Sequence, residues 1–410
     1  MLRSYVRLIP ALAITGAIVY SILQLEGPFT IQLVIPSGIN VSYPQPQIQY
    51  VPQQQVVPEY QAPLQRKLPS YPPHQKPILD AIAAFNGYEE TARRFIAKKD
   101  SKYAKANPRQ QAMMRDIGYE AHFDRAQKEI TVNAQLVRDI VAYGQDLYGV
   151  RAGDEDGLDE NYGIVDEALG HLVRDWSDFG VTERSQIFPP ILKALQEHLG
   201  HDGKKKILLP GFGLGRLAHE VAEIKDYQVT ANDLDYNGIL SYHYVLNRTK
   251  ELFDHQFYPF NLDWTQQLFT NTRFQGVKFP DYKPSPHSRA NVKLMEGDFM
   301  EVFAPEEYIE KYDAVVSLFF IDVGENVVDF LEMIHRVLKP GGIWINLGPL
   351  KWGGFAHMQL SAEEVLQVAD KIGFDVNHDS RQSIETQYAR QPHSLIKFVY
   401  GMSFVILAFD

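Results

Sequence analysis

The chain has 410 residues, 45% of them apolar, which is enough to bury a full core and suggests two or three units rather than one. Its formal net charge of -11 disfavours the basic surface that a nucleic-acid partner requires and fits a small-molecule or short-peptide substrate better. Cysteine is absent, which excludes disulfides, thiolate catalysis and cysteine metal sites while leaving the redox compartment open.

Residues 1–26 read as an N-terminal apolar anchor or signal segment. Arg3 and Arg7 precede an uncharged run over 8–25 that would reach about 27 Å as a helix, close to the hydrocarbon thickness of a bilayer. An uncleaved single-pass anchor is the expectation, with a cleaved signal peptide and a buried helix as rivals; the end of the run lacks a small-x-small cleavage site. The flanking charges would place the N-terminus in the cytosol. The side occupied by the body stays open, since the sequons beginning at Asn40 and Asn247 would be used only in a lumenal setting. Residues 27–76 are rich in proline and glutamine and read as an extended linker, with a proline-rich recognition ligand as the alternative.

The segment 77–200 is expected to be helical. Ile78, Leu79, Ile82 and Phe85 recur at three- and four-residue spacing, as do Ile130, Val132, Leu136, Ile140 and Val141. The acidic run 154–157 lacks the regular ligand spacing of a calcium loop, so a solvated turn and no metal are expected. Next comes the string 171–177, containing His171, Arg174 and Asp175, ahead of a helix carrying Ile191, Leu195 and Leu199. Arg174 offers a planar two-donor fork suited to a carboxylate; a surface pair with Asp175 or a helix cap is the plainer alternative.

Residues 201–410 read as an α/β domain. The apolar run 206–210 breaks into Gly211, Gly213 and Gly215 and enters a helix, a strand-turn-helix that would let a nucleotide-like ligand approach the backbone and meet unpaired N–H groups. A strand over 227–231 then leads to Asp233, placed about 20 residues past the glycines to accept hydrogen bonds from ribose hydroxyls, with Asp235 as its competitor. The strand 292–296 ends in Asp298 and Phe299, a pair suited to the amino group and face of an adenine; Asp298 as a helix cap is the alternative. The nearly continuous apolar strand 313–322 is expected to be covered on both faces and to carry Asp322 toward the ligand side of the sheet. A helix over 327–338, a turn at 339–342, a strand over 343–349 and two closing strands near 374–376 and 398–409 complete the pattern.

The ordered set Gly-x-Gly-x-Gly, Asp233, Gly297-Asp298-Phe299 and Leu338-Lys339-Pro340-Gly341-Gly342 resembles the class I S-adenosylmethionine-dependent methyltransferases, whose Rossmann-like sheet is mostly parallel and seven-stranded. The strings 173–177, 210–217, 279–281, 319–322 and 341–350 resemble, more narrowly, the carnosine N-methyltransferase or N2227-like family over about residues 80–410. That resemblance implies S-adenosylmethionine as methyl donor. It implies cofactor contacts from His171, Arg174, Gly211, Gly213, Gly215, Asp233, Asp298, Phe299 and Leu318. Asp322 would be the catalytic and substrate acid, with Tyr388, Tyr400 and Phe398 at substrate positions. Two positions depart from the family pattern: Gly353 stands where a histidine is expected and Phe398 where a third tyrosine is expected. His357 falls at a different aligned position and reads as a surface or supporting histidine. The implied function is N-methylation of an imidazole in a histidine-containing dipeptide. The alternatives are another small metabolite or peptide, or a membrane-tethered binding protein without catalysis.

Overall fold

Period-two burial along the central strands separates two apolar layers. In the computed structural model Ile207 and Leu209 face one layer and Leu208 the other; Ala314 and Val316 alternate with Val315, and Ile343, Ile345 and Leu347 with Trp344. Both faces therefore need helices. The structure describes residues 75–155, 158, 162–200, 203–388, 391 and 393–409.

Six helices come first: α1 (Gln75–Asn86), α2 (Tyr88–Tyr103), α3 (Pro108–Asp116), α4 (Ala121–Tyr148), α5 (Tyr162–Trp176) and α6 (Val181–Leu199). There follow β1 (Lys205–Pro210), α7 (Arg216–Ala222), β2 (Tyr227–Asp233), α8 (Tyr236–Arg248), β3 (His255–Phe257), β4 (Val277–Phe279), α9 (Pro286–Asn291), β5 (Val292–Glu296) and α10 (Phe299–Val302). The chain ends with β6 (Tyr312–Leu318), α11 (Val327–Val337), β7 (Leu338–Gly348), α12 (Ala362–Ile372), β8 (Phe374–Gln387) and β9 (Val399–Phe409). The sheet runs β5-β2-β1-β6-β7-β9-β8, parallel except that β9 is antiparallel to both of its neighbours. Strand order reverses between β1 and β6, which opens a crevice at their carboxyl ends.

The expected mostly parallel seven-stranded sheet is present. Helices α1, α4 and α5 pack on α8, so one core runs without a break from Ile78 to Ile406. On the opposite face α11 and α12 bury Leu331, Ile334, Val365 and Leu366. Several boundaries differ from the sequence reading. The first described helix starts at Gln75, inside the expected linker. Val132 is exposed, because it falls outside the buried face of α4. Strand β6 stops at Leu318, where Phe319 takes φ 55°, so Asp322 lies in the following turn instead of on the strand. The expected turn at 339–342 is a bulge within β7, with Gly341 at φ 75° and a register shift against β6. Strand β8 extends far beyond 376, since β9 pairs with it up to Gln387.

The apolar run 8–25, most of the linker and residues 156–157 lie outside the described residues. Among the described residues no helix is long and apolar enough to cross a membrane, and no group of acidic and histidine side chains could hold a metal ion.

The short β3–β4 hairpin had no counterpart in the sequence reading. It is fastened to α4 by one buried amide: Asn133 Oδ1 accepts from Tyr258 N at 2.7 Å, while Asn133 Nδ2 donates to Tyr258 O at 3.0 Å and to Tyr88 Oη at 2.8 Å. An apolar side chain there would strand both backbone groups. Asn133→Leu is expected to lower the unfolding free energy by about 1–3 kcal/mol, measured by urea denaturation.

Candidate active site

Three glycines shape the turn between β1 and α7, with φ of 66° at Gly211, 58° at Gly213 and 80° at Gly215. A Cβ on Gly211 would meet the Phe320 ring at 2.5 Å, and one on Gly213 would sit 3.1 Å from Arg174 Nη2. The turn's amides differ from expectation, because carboxylates within the protein already engage them. Gly213 N donates to Asp233 Oδ2 at 3.0 Å and Leu214 N to Asp175 Oδ2 at 3.3 Å. With α7 only seven residues long, the turn acts as a close-approach surface and not as an anion cradle.

Around it opens a cavity of about 1110 Å³. Its walls include His171, Arg174, Gly211 and Gly213; Asp233, Asp298, Phe299 and Leu318 extend them, and Asp322, Tyr388 and Tyr400 complete them. Gly215 and Phe398 are not among these walls. Gly215 starts α7, where a Cβ would strike the Tyr242 ring at 2.6 Å, so its role is in the turn. Phe398 meets the site through its backbone, its carbonyl accepting from Tyr388 N at 3.3 Å.

Asp233 accepts Gly213 N on one oxygen and, on the other, Leu234 N at 2.8 Å and Asp235 N at 3.0 Å. Burial pushes its carboxyl up to about 6 despite these donors. Asp235 lines the same cavity and caps α8 through Asn237 N and Gly238 N. Asp298 lines the cavity and also caps α10 through Met300 N at 2.7 Å. Beside it Phe299 packs edge-on against Phe320.

The far end of the cavity is built on α5. Arg174 grips Asp175 with Nε at 2.7 Å and Nη2 at 3.2 Å, both side chains nearly buried, so the plain pairing exists but away from the surface. Burial opposes both charges, yet each partner outweighs it, holding Arg174 above and Asp175 below its ordinary range. One turn earlier, His171 Nε2 lies 2.9 Å from Tyr388 Oη. Burial, reinforced by Arg174, pushes His171 down to about 3, which keeps the imidazole neutral. The rings of Phe319, Tyr388 and Tyr400 meet with centroids 5.4 to 6.0 Å apart. Asp322 Oδ2 accepts Lys351 N at 2.7 Å, and burial raises its carboxyl. His357 is exposed at the cavity wall, with its backbone N–H held by Glu325 O at 2.7 Å, and Gly353 lines the wall as well.

Two contributors escaped the sequence reading. Asp175 joins Arg174 to the glycine turn, a role that its place in the quoted string 173–177 could have suggested. Phe319 aims its ring at both tyrosines from a left-handed backbone, and no local sequence signal announces that.

The sequence pattern that defines the family described as carnosine N-methyltransferase matches residues 155–410, more than half of the chain and every residue of this cavity. The chain belongs to the carnosine N-methyltransferase family. A relative from Mus musculus named carnosine N-methyltransferase is 30% identical over 78% of this chain and 82% of its own length. One from Drosophila melanogaster, named carnosine N-methyltransferase unmet, is 30% identical over 70% of each chain. A third, from Schizosaccharomyces pombe and also named carnosine N-methyltransferase, is 30% identical over 58% of this chain and 68% of its own. The family match begins just ahead of α5 and takes in α5, α6 and the whole sheet.

The raised Asp233 carboxyl sets a sign for stability. A folded value above the unfolded one means the native state binds the proton more tightly, so this residue's contribution falls as pH rises from about 4 to about 6. Unfolding of wild type and Asp233→Asn at several pH values should show the variant gaining relative stability across that window.

Proposed function

We propose that this enzyme transfers a methyl group from S-adenosylmethionine to an imidazole nitrogen of a histidine-containing dipeptide such as carnosine. The observation that carries it is the placement, in one cavity, of a half-buried acceptor (Asp233), a guanidinium fork (Arg174) and a separate buried carboxylate (Asp322) beyond the end of β6. The cradle fits the donor: the approach left open at Gly211 and Gly213 would be closed by a Cβ, and Asp233 keeps acceptor capacity beside it.

Arg174, with His171 beside it, would hold the amino-acid end, Asp233 the ribose, and Asp298 with Phe299 the adenine, while Leu318 lines the path between them. When bound, S-adenosylmethionine supplies an electrophilic methyl on a sulfonium. The chain's own task is to present a neutral nitrogen lone pair in line with that methyl. Asp322, anchored by Lys351 N, would accept the N–H of one imidazole nitrogen and so fix the tautomer whose other nitrogen carries the lone pair. As positive charge builds on the ring, the same carboxylate, itself buried, would stabilise it electrostatically. Tyr388 and Tyr400, with Phe319, would bound the ring's faces. The third hydroxyl is absent, since residue 398 is phenylalanine, which leaves room for a related dipeptide or metabolite as the preferred acceptor.

Two measurements test this. Titration calorimetry should detect S-adenosylmethionine binding, and absence of binding would remove the enzymatic reading altogether. Mass spectrometry of reactions with carnosine should show a product heavier by one methyl. Asp322→Asn is expected to lower kcat by about 100-fold or more while leaving S-adenosylmethionine affinity near wild type. Because an ionised Asp322, whose deprotonation burial makes harder, and a neutral imidazole are both required, kcat/KM should fall as pH drops below about 6.5.

A further inference from the structure

The motif Phe279-Pro280-Asp281 lines no part of the cavity, yet its carboxylate is among the most enclosed charges in the protein. Asp281 Oδ1 receives Arg216 Nη1 at 2.7 Å and Oδ2 receives Arg184 Nη2, with the three side chains between 6% and 9% exposed. Two guanidiniums from different helices thus share one carboxylate.

What they do with their remaining donors gives the cluster its meaning. A helix ends with unpaired carbonyls that need partners when buried. At the end of α5, Arg184 Nη1 donates to Arg174 O and, at 2.9 Å, to Ser177 O. Arg216 Nη1 donates to Asp175 O at 3.0 Å, and Asp281 N donates to Trp176 O at 2.9 Å. Four consecutive carbonyls, 174 to 177, are therefore capped from a single centre, with positive charge placed where the helix dipole is negative.

From this geometry we infer that Asp281 is a positioning residue for the cofactor: through Arg184 and Arg216 it locks the last turn of α5 and thereby aims the Arg174 fork past Gly213. The inference rests on the reading of Arg174 as the group that meets the amino-acid end of S-adenosylmethionine. Asp281 touches neither ligand nor cavity, so its effect is on cofactor affinity and not on the chemistry of the acceptor ring. Loss of the carboxylate leaves two like charges facing each other, and the carbonyls they hold lose a fixed address.

The experiment is a double-mutant cycle on the full chain, with S-adenosylmethionine affinity by calorimetry and its KM against kcat as readouts. Asp281→Asn should weaken S-adenosylmethionine binding about ten-fold with kcat at saturation changed less than about two-fold. In an Arg174→Gln background the same change should add less than about two-fold, because the fork it aims is gone. Asn133→Leu, which weakens the fold at α4, serves as the comparison and should leave this affinity unaltered. Wild-type affinity in Asp281→Asn, or a loss that adds in full to that of Arg174→Gln, overturns the inference while leaving the role of Arg174 standing. Unchanged affinity in Arg174→Gln itself overturns the role of Arg174 and this inference with it. Should Asp281→Asn fail to fold, Arg184→Lys keeps the charge but lacks the two-carbonyl fork, and the same outcomes are read from it.

Discussion

The bidentate pair between Arg174 and Asp175 is the contact on which the site's geometry depends. Neighbouring residues on a helix do not ordinarily face each other, and this pair does so only because it sits in the last turn, where the helical path is ending. Asp175 uses the same carboxylate to hold Leu214 N, and Trp176 Nε1 donates to Leu214 O at 2.9 Å. The end of α5 and the glycine turn are thereby one body. A buried pair of this kind is a poor source of net stability, since desolvation cancels most of its Coulomb attraction, whereas breaking it costs about 3–5 kcal/mol. Its retention makes sense as a fixed orientation for a cationic fork.

That body is in turn attached to the sheet through Asp233. One carboxylate oxygen takes the glycine turn and the other takes the backbone leading into α8. The two acids therefore bracket the turn from opposite sides, Asp175 from the helical layer and Asp233 from β2. Each consumes an amide that a phosphate-binding loop would leave open. A turn whose N–H groups are already satisfied in this way offers little to a pyrophosphate.

Legibility in the sequence followed the range of the interactions. The alternate glycines, Asp233 at the end of its strand and the acid beyond β6 were readable because each depends on a local period or on a spacing within one strand-turn-helix unit. Asp298 could be read in two ways, and the cap is present on a residue that also stands on the cavity wall, since a short helix starts there. The hairpin β3–β4 and its tie to Asn133 were not readable, because the hydrogen bonds join residues 125 positions apart. The bulge in β7 escaped for a different reason. Its Lys-Pro-Gly-Gly composition signals a turn, but strand pairing on both sides of it carries the chain straight through. Phe319 belongs with these: a left-handed conformation in a bulky residue is imposed by its neighbours, here by Leu347 O holding its N–H at 3.1 Å.

Gly353 departs from the family pattern in a way that packing explains. A Cβ at this position would lie 2.3 Å from the Phe355 ring, so the segment between β7 and α12 is arranged with an aromatic occupying the space beside residue 353. Phe355 is itself on the cavity wall and 59% exposed. At position 398, the phenylalanine contributes a carbonyl to Tyr388 and no hydroxyl to the cavity. Both positions lack the polar side chain expected from the family pattern, and of the two only residue 353 stands on the cavity wall. On the reading proposed above, such a pocket would hold its acceptor ring more by shape than by hydrogen bonds, with the buried Asp322 on the cavity wall setting the ring's orientation.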